Sequence, residues 1–330
     1  MNKKNILRII GTLLLLIALL LIVSTYKELA ITKSKTNLEP INIVYITDNN
    51  YATYTRTSIR SVIANKKKNT KIRIYVIGYR LSDSNIEKIQ KEKRKNTDIE
   101  LIKVPRLLLK KFSAGAKSNP YVTRADNAKL FLPSLLNRTD KVLYLDGDTI
   151  ILKDLSDLYY TNLNDNYIGA VDDWQTSWPD VSGKRYFNNG VMLLNLQKIR
   201  KDNIEAKLIN YKLHDKNNRF VTQDAYNAVM FGKILYLPLI YDTFAPEFDD
   251  KISLLSKIKT TLKEHYDPKI YPYKTAKEYQ KDVTIIHYCG YGNQKPWYKI
   301  DFKRKSNNIW YKYAPFDFWI YCLKGNCRNP

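Results

Sequence analysis

The sequence lacks the short glycine-rich motifs with which many nucleotide-binding proteins hold phosphate. It contains neither a Gly-x-Gly-x-x-Gly fingerprint nor a P-loop. Any bound phosphate therefore has to be held by a metal ion and by side chains. The absence of these motifs counts against a dehydrogenase and against a kinase.

Cysteine is also scarce, because the chain contains only Cys289, Cys322 and Cys327. Three residues are too few for a disulfide framework, and none of their spacings matches a zinc site. Cys322 and Cys327 could pair in an oxidising compartment, but three thiols are equally ordinary in a reducing one. The cysteines leave the compartment open.

Acidic residues are in the minority, with 32 Asp and Glu against 55 Lys and Arg and a formal net charge of +23. This excess favours anionic partners, namely a membrane surface, nucleic acid or a phosphate-rich substrate. The basic residues are scattered, and no zinc-finger or RNA-binding signature is present, so nucleic acid is not expected. The Lys content is also consistent with a simple compositional bias.

The chain has one long uncharged apolar run, at residues 9–23, which follows a basic tail at residues 1–8. The run is short for a spanning helix and also has the length of a signal-peptide core. Because no good cleavage site follows it, we predict an uncleaved, single-pass signal anchor over residues 9–25, with a cleaved signal as the alternative. Residues 26–40 are polar and predict a stalk. The side of the membrane stays open.

Strand-like and helix-like segments alternate after residue 40. Residues 41–47 predict a strand, 53–64 a helix, 71–77 a strand and 98–104 the next strand, and residues 127–136 predict a helix. This alternation is typical of an α/β fold with a Rossmann-like, mostly parallel sheet and flanking helices. We expect one catalytic domain over residues 41–298.

A basic, aromatic tail follows at residues 299–330. Basic residues interleaved with aromatic ones suit an anionic membrane surface. The alternative is a C-terminal helix that packs its aromatic side chains on the core, and the sequence does not decide between the two.

The segment at residues 141–152, KVLYLDGDTIIL, carries the chemistry. Its apolar first half predicts a buried strand, and Asp146 and Asp148 follow at the strand's carboxyl end, where open α/β sheets bind ligands. In an extended chain, residues i and i+2 point to the same side, so the two carboxylates can converge on one ion. Gly147 lets the backbone turn tightly between them. Hard oxygen donors suit Mg²⁺ or Mn²⁺. An isolated Asp-x-Asp is more often a solvated turn.

Several segments, and the order in which they occur, resemble those of glycosyltransferase family 8. This family includes glycogenin and bacterial lipopolysaccharide glucosyl- and galactosyltransferases. These segments are INIVYITDNNY, AKLFLPSLL, KVLYLDGDTIILKDLSDLY, GAVDDW, YFNNGVMLLNL, TQDAYN and IIHYCGYGNQKPW. The resemblance implies a GT-A fold, a Mn²⁺-bound UDP-sugar, and transfer with retention at the anomeric carbon.

The resemblance also implies a set of ligands for the metal and the diphosphate. His287 matches the third metal ligand beside Asp146 and Asp148, although a lone His at a strand end is more often structural. Lys295 matches a donor to the diphosphate, and an exposed lysine is the alternative. Lys129 stands where the family usually has Arg. An Arg guanidinium can bind phosphate through two hydrogen bonds, whereas the Lys ammonium acts as a point charge.

The remaining site residues are assigned by the same resemblance. Asp48, Asn49 and Tyr51 match the uridine-binding segment, which is otherwise an ordinary polar turn. Asp172 and Asn188 match residues that hydrogen-bond the donor sugar, with local capping as the alternative. Gln223 matches the residue that faces the anomeric carbon. The preceding Thr222 replaces an Asp that is expected to bind sugar hydroxyls.

The main hypothesis is a membrane-tethered hexosyltransferase that uses Mn²⁺ or Mg²⁺. It would move glucose or galactose from UDP to a glycan or glycolipid such as lipopolysaccharide. The favoured mechanism is front-face attack with Gln223 as a neutral positioning group, and double displacement through an Asp is the alternative. Two other functions stay open: a glycogenin-like self-glucosylating primer, and a catalytically silent basic module that binds membrane.

Overall fold

The structure is a computed structural model that describes residues 39–114, 123–173, 185–215, 219–249, 272–290 and 295–326, together with residues 2, 17, 20 and 21. The chain divides into two units, Met1–Pro40 and Ile41–Pro330. The predicted anchor and stalk lie almost wholly outside the described residues. Among the described residues, no helix is long and apolar enough to cross a membrane.

The second unit contains a seven-stranded mixed sheet in the order β3-β2-β1-β4-β7-β6-β8. Strands β1, β2, β3 and β4 run parallel to one another, β7 is antiparallel to both β4 and β6, and β8 is parallel to β6. The strands are β1 Ile41–Asp48, β2 Ile72–Tyr79, β3 Thr97–Lys103, β4 Lys141–Leu145, β6 Ile168–Asp172, β7 Phe187–Asn195 and β8 Ile234–Tyr236. The predicted α/β fold with a mostly parallel mixed sheet is confirmed.

A second, three-stranded sheet has the order β5-β10-β9. Its strands are β5 Thr149–Ile151, β9 Thr243–Phe244 and β10 Ile285–His287. Strand β5 begins one residue after Asp148, and β10 ends at His287. This small sheet therefore links the Asp-Gly-Asp segment to a part of the chain far away in sequence.

Helices flank the sheets. The α-helices are α1 Ala52–Asn65, α2 Asp83–Gln90, α3 Leu132–Leu135, α4 Ser156–Tyr159, α5 Leu196–Lys201, α6 Ile204–His214, α7 Gln223–Val229, α8 Ala245–Asp249, α9 Ala276–Asp282, α10 Lys305–Tyr313 and α11 Phe316–Tyr321. The described residues also form two 3₁₀ helices, Arg124–Phe131 and Leu239–Tyr241, and a π-helical turn at Cys322–Asn326.

The predicted helix over residues 127–136 differs in the structure. A 3₁₀ helix covers Arg124–Phe131, and only the short α3 follows it. Thr123 caps the 3₁₀ helix by accepting a hydrogen bond from the backbone N of Ala125. Pro133 lies in the first turn of α3, where its missing N–H costs nothing, so the proline starts a new helix instead of continuing the old one.

Both faces of the large sheet are buried. Along β1, Ile43 and Tyr45 join one hydrophobic cluster, while Val44 and Ile46 join the cluster on the other face. The side chains of a strand alternate between faces, so a continuous apolar run is needed where both faces are covered. The same holds for β4, which delivers the chain to Asp146 from within the core.

The C-terminal tail packs its aromatic side chains on the core. The hydrophobic cluster that contains Ile43 and Tyr45 of β1 also buries Trp310, Tyr311 and Tyr313 of α10 and Phe318 of α11. The Asp317 carboxylate accepts two hydrogen bonds from buried Arg56 of α1, both 2.9 Å long. These residues therefore follow the interpretation in which a C-terminal helix packs its aromatic side chains on the core. Cys322 is disulfide-bonded, and Cys327 lies outside the described residues.

Candidate active site

Asp146, Asp148 and His287 come together at the carboxyl end of β4. One ligand atom from each side chain lies within 4.8 Å of the others. The His287 Nε2 atom is 3.7 Å from an oxygen of Asp146 and 3.3 Å from an oxygen of Asp148. The two carboxylates converge through a turn at residues 146–148, not through the extended chain that the sequence analysis assumed.

Strand pairing places His287 at this turn. In the antiparallel β5–β10 pair, His287 lies opposite Thr149, and the backbone N of Tyr288 donates to the carbonyl of Asp148 at 2.9 Å. The turn is also tied to β7, because the backbone N of Asp146 donates to the carbonyl of Gly190 at 2.7 Å. The backbone thus fixes the relative positions of all three side chains.

A third carboxylate orients the imidazole. Asp242 is fully buried, and its Oδ1 lies 2.9 Å from His287 Nδ1. A carboxylate partner keeps a hydrogen on Nδ1 and turns Nε2 toward Asp146 and Asp148. Burial lowers the pKa of His287, but the Asp242 and Asp148 carboxylates outweigh it and raise the pKa to about 10. The other oxygen of Asp242, Oδ2, has no hydrogen-bond partner among the described residues.

Two glycines make room for the cluster. A Cβ atom on Gly190 would overlap the His287 ring at Cε1 and lie 2.9 Å from Asp146 Oδ2. A Cβ atom on Gly147 would overlap the Thr55 hydroxyl and lie 3.2 Å from the Tyr51 ring. Gly147 therefore allows close packing of the Asp-Gly-Asp turn on α1, and Gly190 allows the imidazole to approach the carboxylates.

Lys295 and Tyr51 hold Asp148 from the other side. The Tyr51 hydroxyl donates to Asp148 Oδ2 at 2.9 Å, and Lys295 Nζ forms an ion pair with the same oxygen. Burial raises the pKa of Asp148, but Lys295 and His287 outweigh it and hold the pKa well below its usual range. Lys295 thus lies at the cluster, next to Asp148.

Lys129 lies behind Asp146 and is almost fully buried. Its ammonium is 2.9 Å from Asp126 Oδ1, 3.1 Å from Asp146 Oδ1 and 3.5 Å from Asn189 Oδ1. Burial lowers the pKa of Lys129, but the two carboxylates outweigh it and raise the pKa. An ammonium has three hydrogens, and three protein oxygens already lie within reach of them. In this geometry Lys129 orients Asp146, while its predicted contact with the diphosphate stays a prediction.

A cleft of about 780 Å³ opens over the cluster. Asp48, Asn49 and Tyr51 of the predicted uridine-binding segment line it. Asp48 Oδ1 accepts hydrogen bonds from the backbone N of Asn50 and of Tyr51, which fixes the turn after β1. Asn49 uses its oxygen to accept from the backbone N of Ser82 at 2.7 Å, so its carbonyl anchors the start of α2.

Gln223 and Asn188 also line the cleft. Gln223 begins α7, and its Oε1 accepts from the backbone N of Asn189 while its Nε2 donates to Asp173. Asn188 Oδ1 accepts from the backbone N of Gly190 at 2.8 Å. These contacts fix the orientation of both side chains in the cleft, while their predicted roles, Asn188 at the donor sugar and Gln223 at the anomeric carbon, stay predictions.

Asp172 is not among the described residues that line the cleft. It ends β6 and forms a two-point ion pair with Arg185, whose guanidinium stacks 3.5 Å from the Tyr236 ring centroid. The neighbouring Asp173 is the carboxylate that contacts Gln223. The predicted role of Asp172 at the sugar stays untested.

Several residues that build the site were not identified from the sequence, namely Asp126, Asp173, Gly190 and Asp242. Two of them carried a signal, because Gly190 lies in the FNNG segment and Asp173 lies in the GAVDDW segment. Asp242 is separated from His287 by 45 residues, and no local pattern links them.

The α/β fold, with this cluster at the carboxyl end of β4, agrees with the GT-A fold that the family resemblance implies. The model of the family described as "Glycosyl transferase family 8" matches residues 42–301. The chain therefore belongs to glycosyltransferase family 8.

Individual relatives and solved structures agree with this assignment. A lipopolysaccharide 1,2-glucosyltransferase of Escherichia coli K12 is 29% identical over 277 residues, which are 79% of this chain and 74% of the relative. General stress protein A of Bacillus subtilis is 23% identical over 294 residues, 85% of this chain and 95% of the relative. The crystal structure of galactosyltransferase LgtC with donor and acceptor sugar analogues superimposes with a TM-score of 0.68 at 24% identity. It covers 84% of this chain and 99% of LgtC.

Proposed function

We propose that this glycosyltransferase is a metal-dependent, retaining hexosyltransferase that moves glucose or galactose from UDP to a glycan or glycolipid. The observation that carries the proposal is the convergence of Asp146, Asp148 and His287 beside Lys295 in the cleft. The glucosyl- and galactosyltransferase activities named for the relatives support the choice of sugar, and the lipopolysaccharide named for one of them supports the class of acceptor.

The residues of the cluster fit a divalent cation. Two carboxylates and one imidazole are ligands that Mn²⁺ accepts, and Mg²⁺ also binds carboxylate oxygen. Among the described residues, the buried Asp242 carboxylate has the imidazole as its charged partner, so its negative charge would support a cation bound at Nε2. When bound, the cation would supply positive charge against the diphosphate.

Lys295 is the side chain in the cleft that we assign to the departing diphosphate. Its ammonium lies next to Tyr51 and Asp148, where the negative charge of UDP would develop. A fixed positive group aimed at developing charge lowers the barrier because no reorganisation is needed during the reaction. Tyr51 provides an aromatic ring in the same wall, stacking edge-on against Tyr54.

Gln223 is the neutral group that we place beside the anomeric carbon. Both ends of its amide are held, by the backbone N of Asn189 and by Asp173. An amide is a poor covalent nucleophile compared with a carboxylate, so this arrangement favours front-face attack by the acceptor hydroxyl. The alternative is double displacement through an Asp.

Membrane attachment is part of the proposal and rests on the sequence alone. Residues 9–25 would form the anchor, residues 26–40 the stalk, and the excess of positive charge would add attraction to anionic lipid.

A UDP-sugar hydrolysis screen tests the proposed activity. UDP-glucose, UDP-galactose, UDP-N-acetylglucosamine and UDP-xylose are each incubated with the full chain, with Mn²⁺ and with EDTA. We expect turnover of a UDP-hexose that depends on Mn²⁺. Asp148→Ala should lower the rate by at least ~10²-fold, as expected for loss of one preorganised electrostatic group.

Asp165→Asn is the matched control for this screen, because Asp165 pairs with Lys198 and Lys233 outside the cleft. Turnover that survives both EDTA and Asp148→Ala would show that the metal assignment is wrong. Steps of one hexose in the intact mass of the protein would instead identify a self-glucosylating primer. No turnover of any donor would favour the catalytically silent module.

A further inference from the structure

Asp126 is a carboxylate in the wall of the cleft that the sequence analysis did not single out. It lies in the 3₁₀ helix Arg124–Phe131, and its side chain is 20% exposed. It lines the cleft together with Asn189 and Gln223. It is therefore open to a bound substrate and lies in the same cleft as the proposed site of the anomeric carbon.

Two side chains hold this carboxylate in place. Lys129 Nζ is 2.9 Å from Oδ1, and the Thr222 hydroxyl donates to Oδ2 at 2.7 Å. Both oxygens thus act as acceptors, and a carboxylate has about four acceptor positions, of which these contacts use two. The remaining positions can accept hydrogen bonds from hydroxyl groups, which are the donors that a sugar offers.

The same contacts connect Asp126 to the rest of the site. Lys129 also pairs with Asp146 at 3.1 Å, so a single ammonium separates Asp126 from a proposed metal ligand. Asn189 donates to the Thr222 hydroxyl at 3.0 Å, and its backbone N donates to Gln223. Asp126 therefore belongs to a hydrogen-bonded unit that ends at Asp146, a proposed metal ligand, on one side and at Gln223 on the other.

Thr222 has a different position. Its side chain is fully buried and is not among the described residues that line the cleft. The Asp that Thr222 replaces is expected to bind sugar hydroxyls, whereas the Thr222 hydroxyl donates its hydrogen to Asp126. An Asp at 222 would place a second carboxylate against Asp126 inside the protein, which is unfavourable without a further cation.

We propose that Asp126 accepts a hydroxyl group of the donor hexose and determines which UDP-hexose is used, with Thr222 as the positioning residue that holds its carboxylate. This inference rests on the proposed hexosyltransferase function. It concerns the identity of the donor sugar and not the presence of the activity.

Deoxy analogues of the donor separate a direct contact from a structural role. The experiment compares the full chain with Asp126→Ala, using UDP with Mn²⁺, the UDP-hexose that the wild type turns over, and its monodeoxy analogues. We expect the variant to bind UDP as the wild type does, while kcat/KM for the parent donor falls about 10- to 100-fold, the range for a hydrogen bond to a charged group. The wild type should lose a similar factor on one deoxy analogue, and Asp126→Ala should not distinguish that analogue from the parent.

Two further variants complete the experiment, one that tests the positioning role of Thr222 and one that serves as a control outside the cleft. Thr222→Val keeps the buried shape but removes the hydroxyl that donates to Asp126, so it should lower the preference for the parent over the same deoxy analogue by several-fold. Asp165→Asn removes an exposed Asp–Lys pair outside the cleft and should leave the preference unchanged.

The outcomes distinguish this inference from the proposed function. If Asp126→Ala lowers kcat/KM equally for the parent and every deoxy analogue, or weakens UDP binding by the same factor, Asp126 acts only through Lys129 and the inference is overturned. The same holds if Thr222→Val leaves the donor preference intact. Absence of Mn²⁺-dependent turnover by the wild type would overturn the proposed function, and this inference with it.

Discussion

Gly190 is a residue at which the candidate site has no room for a larger side chain. The imidazole of His287 and the carboxylate of Asp146 both lie where a Cβ atom on Gly190 would stand. Gly190→Ala should therefore displace His287 or Asp146 and lower Mn²⁺ affinity by about tenfold or more, as loss of a supporting contact does. The measurement is Mn²⁺ binding by calorimetry, with a thermal melt to check folding.

Gly169→Ala provides the control, because Gly169 lies in the neighbouring strand β6 and faces only the ends of the Leu163 and Leu237 side chains. It should affect stability without changing Mn²⁺ affinity. Equal Mn²⁺ affinities for Gly190→Ala and the wild type would contradict the described cluster.

Asp242 is not one of the proposed metal ligands, but it holds His287 in position. Asp242→Asn keeps the shape of the side chain but removes the charge behind His287 and no longer fixes which ring nitrogen carries the hydrogen. We expect Mn²⁺ to bind about 10- to 100-fold more weakly, the usual cost of changing such a partner. Calorimetric Mn²⁺ titration measures this, and unchanged affinity would show that Asp242 does not support the site.

Some of these site residues could be predicted from the sequence and others could not. Asp146, Asp148 and His287 were predicted because their segments resemble a family and the two aspartates follow a buried strand. Asp242 and Asp126 could not be predicted in this way, since Asp242 contacts His287, 45 residues away, and Asp126 contacts Thr222, 96 residues away. Contacts of this kind depend on strand register and helix placement, which no local pattern encodes.

At the scale of elements, strand β10 determines where His287 lies. Its pairing with β5 sets His287 opposite Thr149, next to the Asp-Gly-Asp turn. The alternating strands and helices from Ile41 to Lys103 were predictable from apolar periodicity. The small sheet was not, because three strands of only two or three residues are too short to show a period.

The C-terminal helices are also elements of the core. Trp310 of α10 is fully buried and contacts Trp297 and Phe318 through its ring. Trp310→Ala should destabilise the protein by about 3–5 kcal/mol, as for other large-to-small changes in cores. Phe316 of α11 is 76% exposed, so Phe316→Ala should change stability by less than about 0.5 kcal/mol.

Urea unfolding of both variants measures this difference. Similar stabilities for Trp310→Ala and the wild type would contradict the packing of the tail on the core. The alternative role of the tail, binding to an anionic membrane, would then regain support, since its aromatic side chains would be free.

At the scale of the whole molecule, the chain consists of two units with a boundary at residues 40 and 41. A chain that begins at Leu38 keeps every described strand and helix of the second unit. We expect it to remain folded and to keep its UDP-sugar turnover, because the cluster, the cleft and both hydrophobic clusters lie within residues 41–326. Circular dichroism and the hydrolysis assay check these two expectations.

Vesicle binding tests the proposed anchor with the same truncated chain. Residual binding to anionic vesicles should fall as salt is raised, because it rests on charge alone, whereas the full chain should stay bound. The anchor hypothesis fails if both chains bind equally firmly at high salt.

The stereochemistry of sugar transfer tests the central claim most directly. A proton NMR time course follows a UDP-α-hexose with the full chain and Mn²⁺ and records the configuration of the first product before it mutarotates. The account predicts that the α configuration is retained and that EDTA stops the reaction. A β product formed first, or a rate unaffected by EDTA, would contradict it.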